Sequence, residues 1–441
     1  MQNTETSERN ELSQQCAIGI ARSVRCHSDA MDYIDQAIEL DENEIRARLV
    51  KAWMLHGGRE NTVADAVDAL IREVEGRLPS TQSYDTQLLA ALKLSKAGKS
   101  CESATALEAM LLNAPTDLYL HKIVQDEIFW LGKSDWMCAI TEQAAPHWQI
   151  GSKDYGTFLS YLAFANEEAG FYDEAERYSR MALEIDPTDI WGTHALAHTL
   201  LMKGKMHTGI ESLQELSANW GHANQMRHHL WWHMCLFLLE IGEHEKILHL
   251  LSAEIRNPES ALVKASPAAP IDIQNYASLL LRLELYGLDV SEQWLTLADI
   301  CAARVNNHGN AFGNIHDMMV LTATGQHEKA NEFMRSMKSE YADRQGDVAL
   351  AYNAVGIPVC EALIAYRSND YDTVLKTLGG LRHNLSLIGG SHAQRDVFYH
   401  LLVHAAEKAN QPELRNIYIR DIERIGFCDV PNRAAYQSSA H

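Results

Sequence analysis

Long flexible linkers are the first thing this chain has no room for. Only 25 glycines and 10 prolines are spread over 441 residues, so most of it is expected to be ordered. Basic charge is scarce too: 38 Lys and Arg face 59 Asp and Glu, a net charge of -21 at pH 7. No basic patch is dense enough to displace phosphate counterions, which excludes a nucleic-acid partner, and an anionic membrane surface would not attract the chain. The eight cysteines, at 16, 26, 101, 138, 235, 301, 360 and 428, include no Cys-x-x-Cys pair and no close ligand spacing, so reduced thiols are expected. The polar start MQNTETSERNELSQQ lacks the apolar stretch of a secretion signal. No apolar run approaches the roughly 20 residues of a membrane span. These absences predict a cytoplasmic protein with a disordered beginning, 1–15, and a short C-terminal tail, 429–441.

What is present is periodicity. In YLAFANEEAGFYDEAERYSRMALEIDPTD, residues Gly170, Tyr172, Ala175, Ala182 and Pro187 fall on the small and turn positions of a tetratricopeptide helix-turn-helix unit. Small residues stand where two antiparallel helices approach closely, and the proline stops the second helix. Comparable turns recur at Gly98, Gly132, Gly204, Gly242, Gly287, Gly325 and Asn369, spaced 34 to 45 residues apart. DAMDYIDQAIELDENE supplies an earlier half-unit and RDVFYHLLVHAAEKANQPELRNIYIRDI a closing pair. No pattern of period 2 is sustained, so the fold expected is all-α: one solenoid of about nine tetratricopeptide-like helix pairs filling 16–428. The one lengthy loop expected is RNPESALVKASPAAPIDIQ, 256–274, a connection between hairpins or a lid over the concave face.

That register gives the histidines a geometry, because the first helix of each hairpin lines the concave surface and residues four apart share a face. His194 and His198 are such a pair, and the next first helix carries His229 and His233. His316, followed by Asp317, occupies the register of His233 two hairpins on, and His400 and His404 repeat the pattern near the end. His244 and His327, just after turns, read as surface residues, and His228 flanks its neighbours with no assigned role. Imidazole titrates nearest neutrality, so convergent rings suit acid-base chemistry. The alternative is a divalent metal held by ring nitrogens, with Asp317 or Asp272 as a carboxylate ligand, although the Glu of HExxH is missing from both pairs. Against both stands the plain reading of half-polar rings packed between helices with a backbone partner. Trp231 is expected inside its hairpin, whereas Trp232 and Trp191 are free to wall a pocket for a flat or cationic substrate.

Near the C-terminus, LSLIGGSHAQRDVFYHLLVHAA ends one helix at Gly389 and Gly390 and caps the next with Ser391. Gln394, Arg395 and Asp396 then fill the first turn: either a capped start with an Arg-Asp pair, or an anion site of backbone amides beside an arginine. Arg282, inside an apolar first helix, must meet an acid or a ligand.

The segments DIWGTHALAHTLLMKGKMHTGI, HLWWHMCLFLLEIGEH, SLLLRLELYG, NIHDMMVLTATGQHEKA and IGGSHAQRDVF, in this order, resemble the tetratricopeptide repeat protein 38 family over roughly residues 90 to 425. The resemblance implies a helical solenoid and a cytoplasmic home, and carries no settled reaction. The function expected from the residues is an enzyme, a hydrolase or lyase acting on a polar or anionic small molecule in the concave groove. His194, His198, His229, His233, His316 and Asp317 would be catalytic, and Arg282, Arg395, Asp396 and Trp232 would bind substrate. The alternative is an interaction module holding a partner peptide in the same groove. A homo-oligomer joined through the ends of the array is compatible with either.

Overall fold

Each glycine that marks a turn in the sequence closes a helix with left-handed backbone. The computed structural model describes residues 13–78, 82–427, 430 and 433–436. Gly98, Gly132, Gly170, Gly204, Gly242, Gly287, Gly325 and Asn369 all have positive φ, as does Asn410 in the closing pair. Such a residue ends a helix cheaply because it lacks, or tolerates, the Cβ clash of that conformation. The chain is therefore an all-α solenoid of helical hairpins, and no β-strand forms among the described residues. Two hairpins, Gln14–Ser23 with Ala30–Leu40 and Ile45–Gly57 with Ala64–Glu75, stand before the first turn at Gly98.

The two helices of a hairpin have different surroundings. In the outer helix Tyr172–Ile185 only Ala175, Ser179 and Ala182 are buried, the narrow stripe expected of a helix with one face in water. Its inner partner Tyr155–Glu168 is buried at every position from Gly156 to Glu168. Pro270–Leu285 and Ala311–Ala323 are likewise buried almost throughout. The reason is that the superhelix winds tightly enough for inner helices to meet across the hollow. Pro270–Leu285 packs on Ala311–Ala323 and also on His392–Lys408. The concave face is thus a packed interior and not an open groove.

Contacts between residues 60–101 and 304–348 close the winding. Arg304 pairs with Glu60 at 2.8 Å and Asn61 N donates to Asn307 Oδ1 at 2.8 Å. Cys101 N donates to Asp347 Oδ2 at 2.8 Å, and Val348 N to Gly98 O at 3.3 Å. At Gly132 a side chain would collide with the Ser386 backbone, so this turn is needed for close approach as well as for its dihedral.

Several boundaries differ from expectation. The first helix begins at Gln14, because Ser13 Oγ caps Cys16 N at 3.3 Å; residues 1–12 lie outside the described residues. Of the expected tail 429–441, only 430 and 433–436 are among the described residues; there Arg433 and Tyr436 are buried at 6% and 3% exposure, with Arg433 in ion pairs with Glu240 and Asp396. The segment 256–274 is no lid: Ala261–Ala265 is a short helix, Pro270 opens the next one at its first turn, and only that opening reaches the cavity described below. One helical stretch, Asp347–Arg367, is long and apolar enough by composition to cross a membrane, and 56% of its most apolar window is buried within the chain. The described cysteines are all free, most of them buried; Cys428 lies outside the described residues.

Candidate functional site

Two consecutive inner helices, Ile190–Met202 and Met226–Glu240, each carry an i, i+4 histidine pair, and their packing brings the four rings together. His194 Nε2 and His198 Nε2 are 3.0 Å apart. The His194 ring centroid lies 5.0 Å from that of His229 and 5.2 Å from that of His233, and His198 and His233 are 4.4 Å apart. One nitrogen from each ring can be chosen so that all four lie within 4.8 Å of one another. The cluster is the floor of a cavity of about 400 Å³, which His194, His198 and His229 line while His233 stands behind them. Trp53, Trp130, Tyr161, Phe164 and Trp191 form aromatic walls.

Behind His198, on the neighbouring inner helix, stand Glu167 and Glu168. His198 Nδ1 faces Glu167 Oε2 at 3.3 Å and Glu168 Oε1 at 3.9 Å. No well-formed hydrogen bond reaches either oxygen of Glu167, Oε1 of Glu168, Nδ1 of His194 or His198, or either nitrogen of His233. So many buried polar atoms without a partner in the chain is contrary to the general rule that buried polar groups are satisfied. Burial pushes the Glu167 carboxyl up to about 8, against the neighbouring Glu168 and the charge of Arg395. It does the same for Glu168, reinforced by Glu167. Burial drives His198 down to about 4 and His229 down to about 3, and holds His194 and His233 well below the ordinary imidazole range. Near neutrality the site thus favours uncharged rings beside protonated carboxyls. His229 Nδ1 meets Asn275 Oδ1 at 2.8 Å, which requires the Nδ1–H tautomer and leaves the Nε2 lone pair facing the cluster.

The other residues expected in the site are placed elsewhere. His316 donates from Nδ1 to Phe312 O at 2.7 Å and packs its ring on Phe312, the ordinary life of a core histidine. Asp317 pairs with Arg304 at 3.1 Å, so it neither orients a ring of the cluster nor joins it. Asp272 pairs with His228 at 2.8 Å, giving a role to the histidine that had none. Arg282 spends its guanidinium on Ser278 O and Ala393 O at 3.2 and 2.8 Å and lies over the Trp232 ring. Arg395 donates to the carbonyls of Gly389 and Gly390. Asp396 is held by Arg433 at 2.9 Å, His400 at 3.1 Å and the Tyr436 hydroxyl, and its partner is therefore not the adjacent arginine. Neither arginine lines the cavity as an anion anchor.

Ser391 and Gln394 form the reciprocal cap expected at a helix start. The two glycines before it answer to packing: a Cβ on Gly389 would stand 2.8 Å from the Trp130 backbone, and one on Gly390 would stand 2.7 Å from the Phe312 ring. The tryptophans exchange places with expectation. Trp232 is 1% exposed, donates to Ser278 Oγ at 3.1 Å and stacks on His229, whereas Trp231 is only partly buried and meets Trp220 edge-on. Trp191 does wall the cavity, its ring centroid 5.2 Å from that of His194 with the planes steeply inclined.

Sequence reasoning missed Glu167 and Glu168. Their signal was available: two acids in the last turn of an inner helix sit at the end where the helix dipole disfavours negative charge.

No family model matches the chain.

Proposed function

We propose that the chain is an enzyme that hydrolyses, or eliminates a group from, a small molecule bound in the aromatic cavity. One observation carries the reading: a line of proton carriers runs from the cavity into the interior, from His194 through His198, 3.0 Å away, to Glu167, 3.3 Å beyond. In a hydrolysis, His194 or His229 accepts the proton of an attacking water. His198 takes that proton onward, and the carboxyl pair behind it sets the orientation and proton affinity of its ring. The same groups return a proton to the leaving atom. Glu167 and Glu168 act through His198 and are positioning residues.

The walls favour a substrate with a flat or apolar body and a polar reacting end. Lys122 and Arg59, cations on the cavity lining, are each in an ion pair, with Asp126 at 2.7 Å and Glu127 at 2.6 Å. Charge alone therefore gives an anion little to hold. The peptide-groove reading is disfavoured because the inner helices pack against one another where a peptide would lie. Three of the segments that carry the resemblance to the tetratricopeptide repeat protein 38 family, around His194, His229 and Ser391, border the cavity, which fits a shared site.

The test is incubation with a panel of aryl and alkyl esters, amides and β-hydroxy acids, followed by mass spectrometry. Turnover of a panel compound that is lost in His194→Phe supports the reading. Turnover equal in the two proteins, or none with any compound, counts against it.

A further inference from the structure

We infer that His194, His198, His229 and His233 bind a divalent first-row transition ion, with Glu167 and Glu168 as outer partners of His198. This goes beyond the reading above: it assigns the same cluster, but an ion held by these nitrogens would itself activate the water that the uncharged rings are proposed to deprotonate, and it stands on geometry that needs no substrate.

The donor set is right in kind. Imidazole nitrogens suit Zn²⁺, Co²⁺, Ni²⁺ and Fe²⁺, whereas Mg²⁺ and Ca²⁺ require oxygen. The spacing is right as well. Nitrogens around an ion at about 2.1 Å are about 3.4 Å apart in a tetrahedron and about 4.2 Å apart when trans in an octahedron. Here the Nε2 atoms of His194 and His198 are 3.0 Å apart, and one nitrogen from each of the four rings lies within 4.8 Å of the others. Small rotations of buried rings would bring all of them into coordination.

The surroundings are those that ligand histidines require. A ligating ring is ordinarily fixed by a hydrogen bond from its other nitrogen to an amide or carboxylate. His229 has that partner in Asn275 at 2.8 Å, and His198 Nδ1 faces Glu167 Oε2 at 3.3 Å. Of the nitrogens turned toward one another, the Nε2 atoms of His194 and His198 meet only each other, and both nitrogens of the fully buried His233 are without a partner. A cation supplies at once what these lone pairs lack, and the two carboxyls behind His198, protonated while no ion is near, would ionise to compensate its charge in an apolar interior. His194, His198 and His229 line the cavity, so an ion with five or six positions keeps one or two of them open to it.

The chelator-treated full chain is titrated with Co²⁺ followed by visible absorbance, and with Zn²⁺ by calorimetry. One equivalent per chain is expected, with ligand-field bands in the cobalt form. His198→Phe and His233→Leu are each expected to weaken Zn²⁺ binding at least 100-fold while keeping the helical spectrum. Glu167→Gln is expected to weaken it about 10-fold to 100-fold without changing the stoichiometry. Absence of cobalt bands, or binding unchanged in both histidine variants, overturns the inference. The enzyme reading fails separately: metal bound with no panel compound turned over sinks that reading alone, and turnover by a protein that binds no Co²⁺ or Zn²⁺ sinks this one alone.

Discussion

The Nε2 atoms of His194 and His198 stand 3.0 Å apart, one turn apart on the same helix, while the Nδ1 of each ring has no hydrogen-bond partner. Two imidazoles so placed can share a proton or an ion, and the proposed line continues to Glu167 on the preceding inner helix. Replacing His198 by Phe keeps a ring of similar volume in the core and cuts that line. Turnover of any panel compound identified as substrate should fall by about 10² to 10⁴-fold, the usual worth of a positioned proton carrier, with the far-ultraviolet spectrum unchanged. Full activity in this variant would remove His198 from the chemistry.

Arg433 joins Glu240 at 2.7 Å to Asp396 at 2.9 Å, all three nearly buried. Removing one partner of such a network strands the others, at a cost of about 3–5 kcal/mol. Arg433→Ala should therefore show a large drop in urea midpoint. Asp396→Ala should do the same, because this residue, expected to touch substrate, is instead a structural anchor.

Arg304 bridges Glu60 and Asp317 at 2.8 and 3.1 Å and so ties the early part of the chain to the late. Arg304→Ala should cost about 3 kcal/mol. It should also speed amide exchange at Asn61, whose N–H donates to Asn307. Protection unchanged at Asn61 would mean that the ends are held together without this pair.

His56 is driven down to about 3 by burial, then by the charges of Arg59 and Lys96. In the folded chain it binds its proton only far below the pH at which the unfolded chain does. Stability from this group is thus complete above about pH 6.5 and is lost as pH falls toward 3. His56 Nε2 meets Ser95 Oγ at 2.8 Å. The melting temperature should drop between pH 7 and pH 4, and the drop should shrink in His56→Gln, whose amide can still meet Ser95 without titrating there. An identical pH profile in that variant would contradict the assignment.

Much of the fold was legible, because a left-handed turn residue leaves a mark in a sequence: Gly98 through Asn369 were found by spacing and all have positive φ. The two histidine pairs were legible for the same reason, since helical register fixes their face. What depended on contacts across the hollow was not. Nothing local shows that Asp317 meets Arg304, or that Arg433 from beyond the last helix reaches Asp396. Gly389 and Gly390 read only as the end of a helix, and nothing local shows that they also allow close packing against Trp130 and Phe312. Glu167 and Glu168 escaped notice because acids near a turn are common on surfaces, and only tight winding buries these.

The central claim is that the polar groups of this cluster are kept for chemistry and not for the fold, and the thermal stability of metal-free His233→Leu tests it most directly. Both ring nitrogens are buried without partners, so leucine of similar volume should leave the chain as stable or stabilise it by about 1 kcal/mol, while Zn²⁺ binding and turnover are lost. A variant destabilised by more than about 2 kcal/mol that still binds Zn²⁺ and turns over substrate would contradict the account, since the ring would then belong to the core.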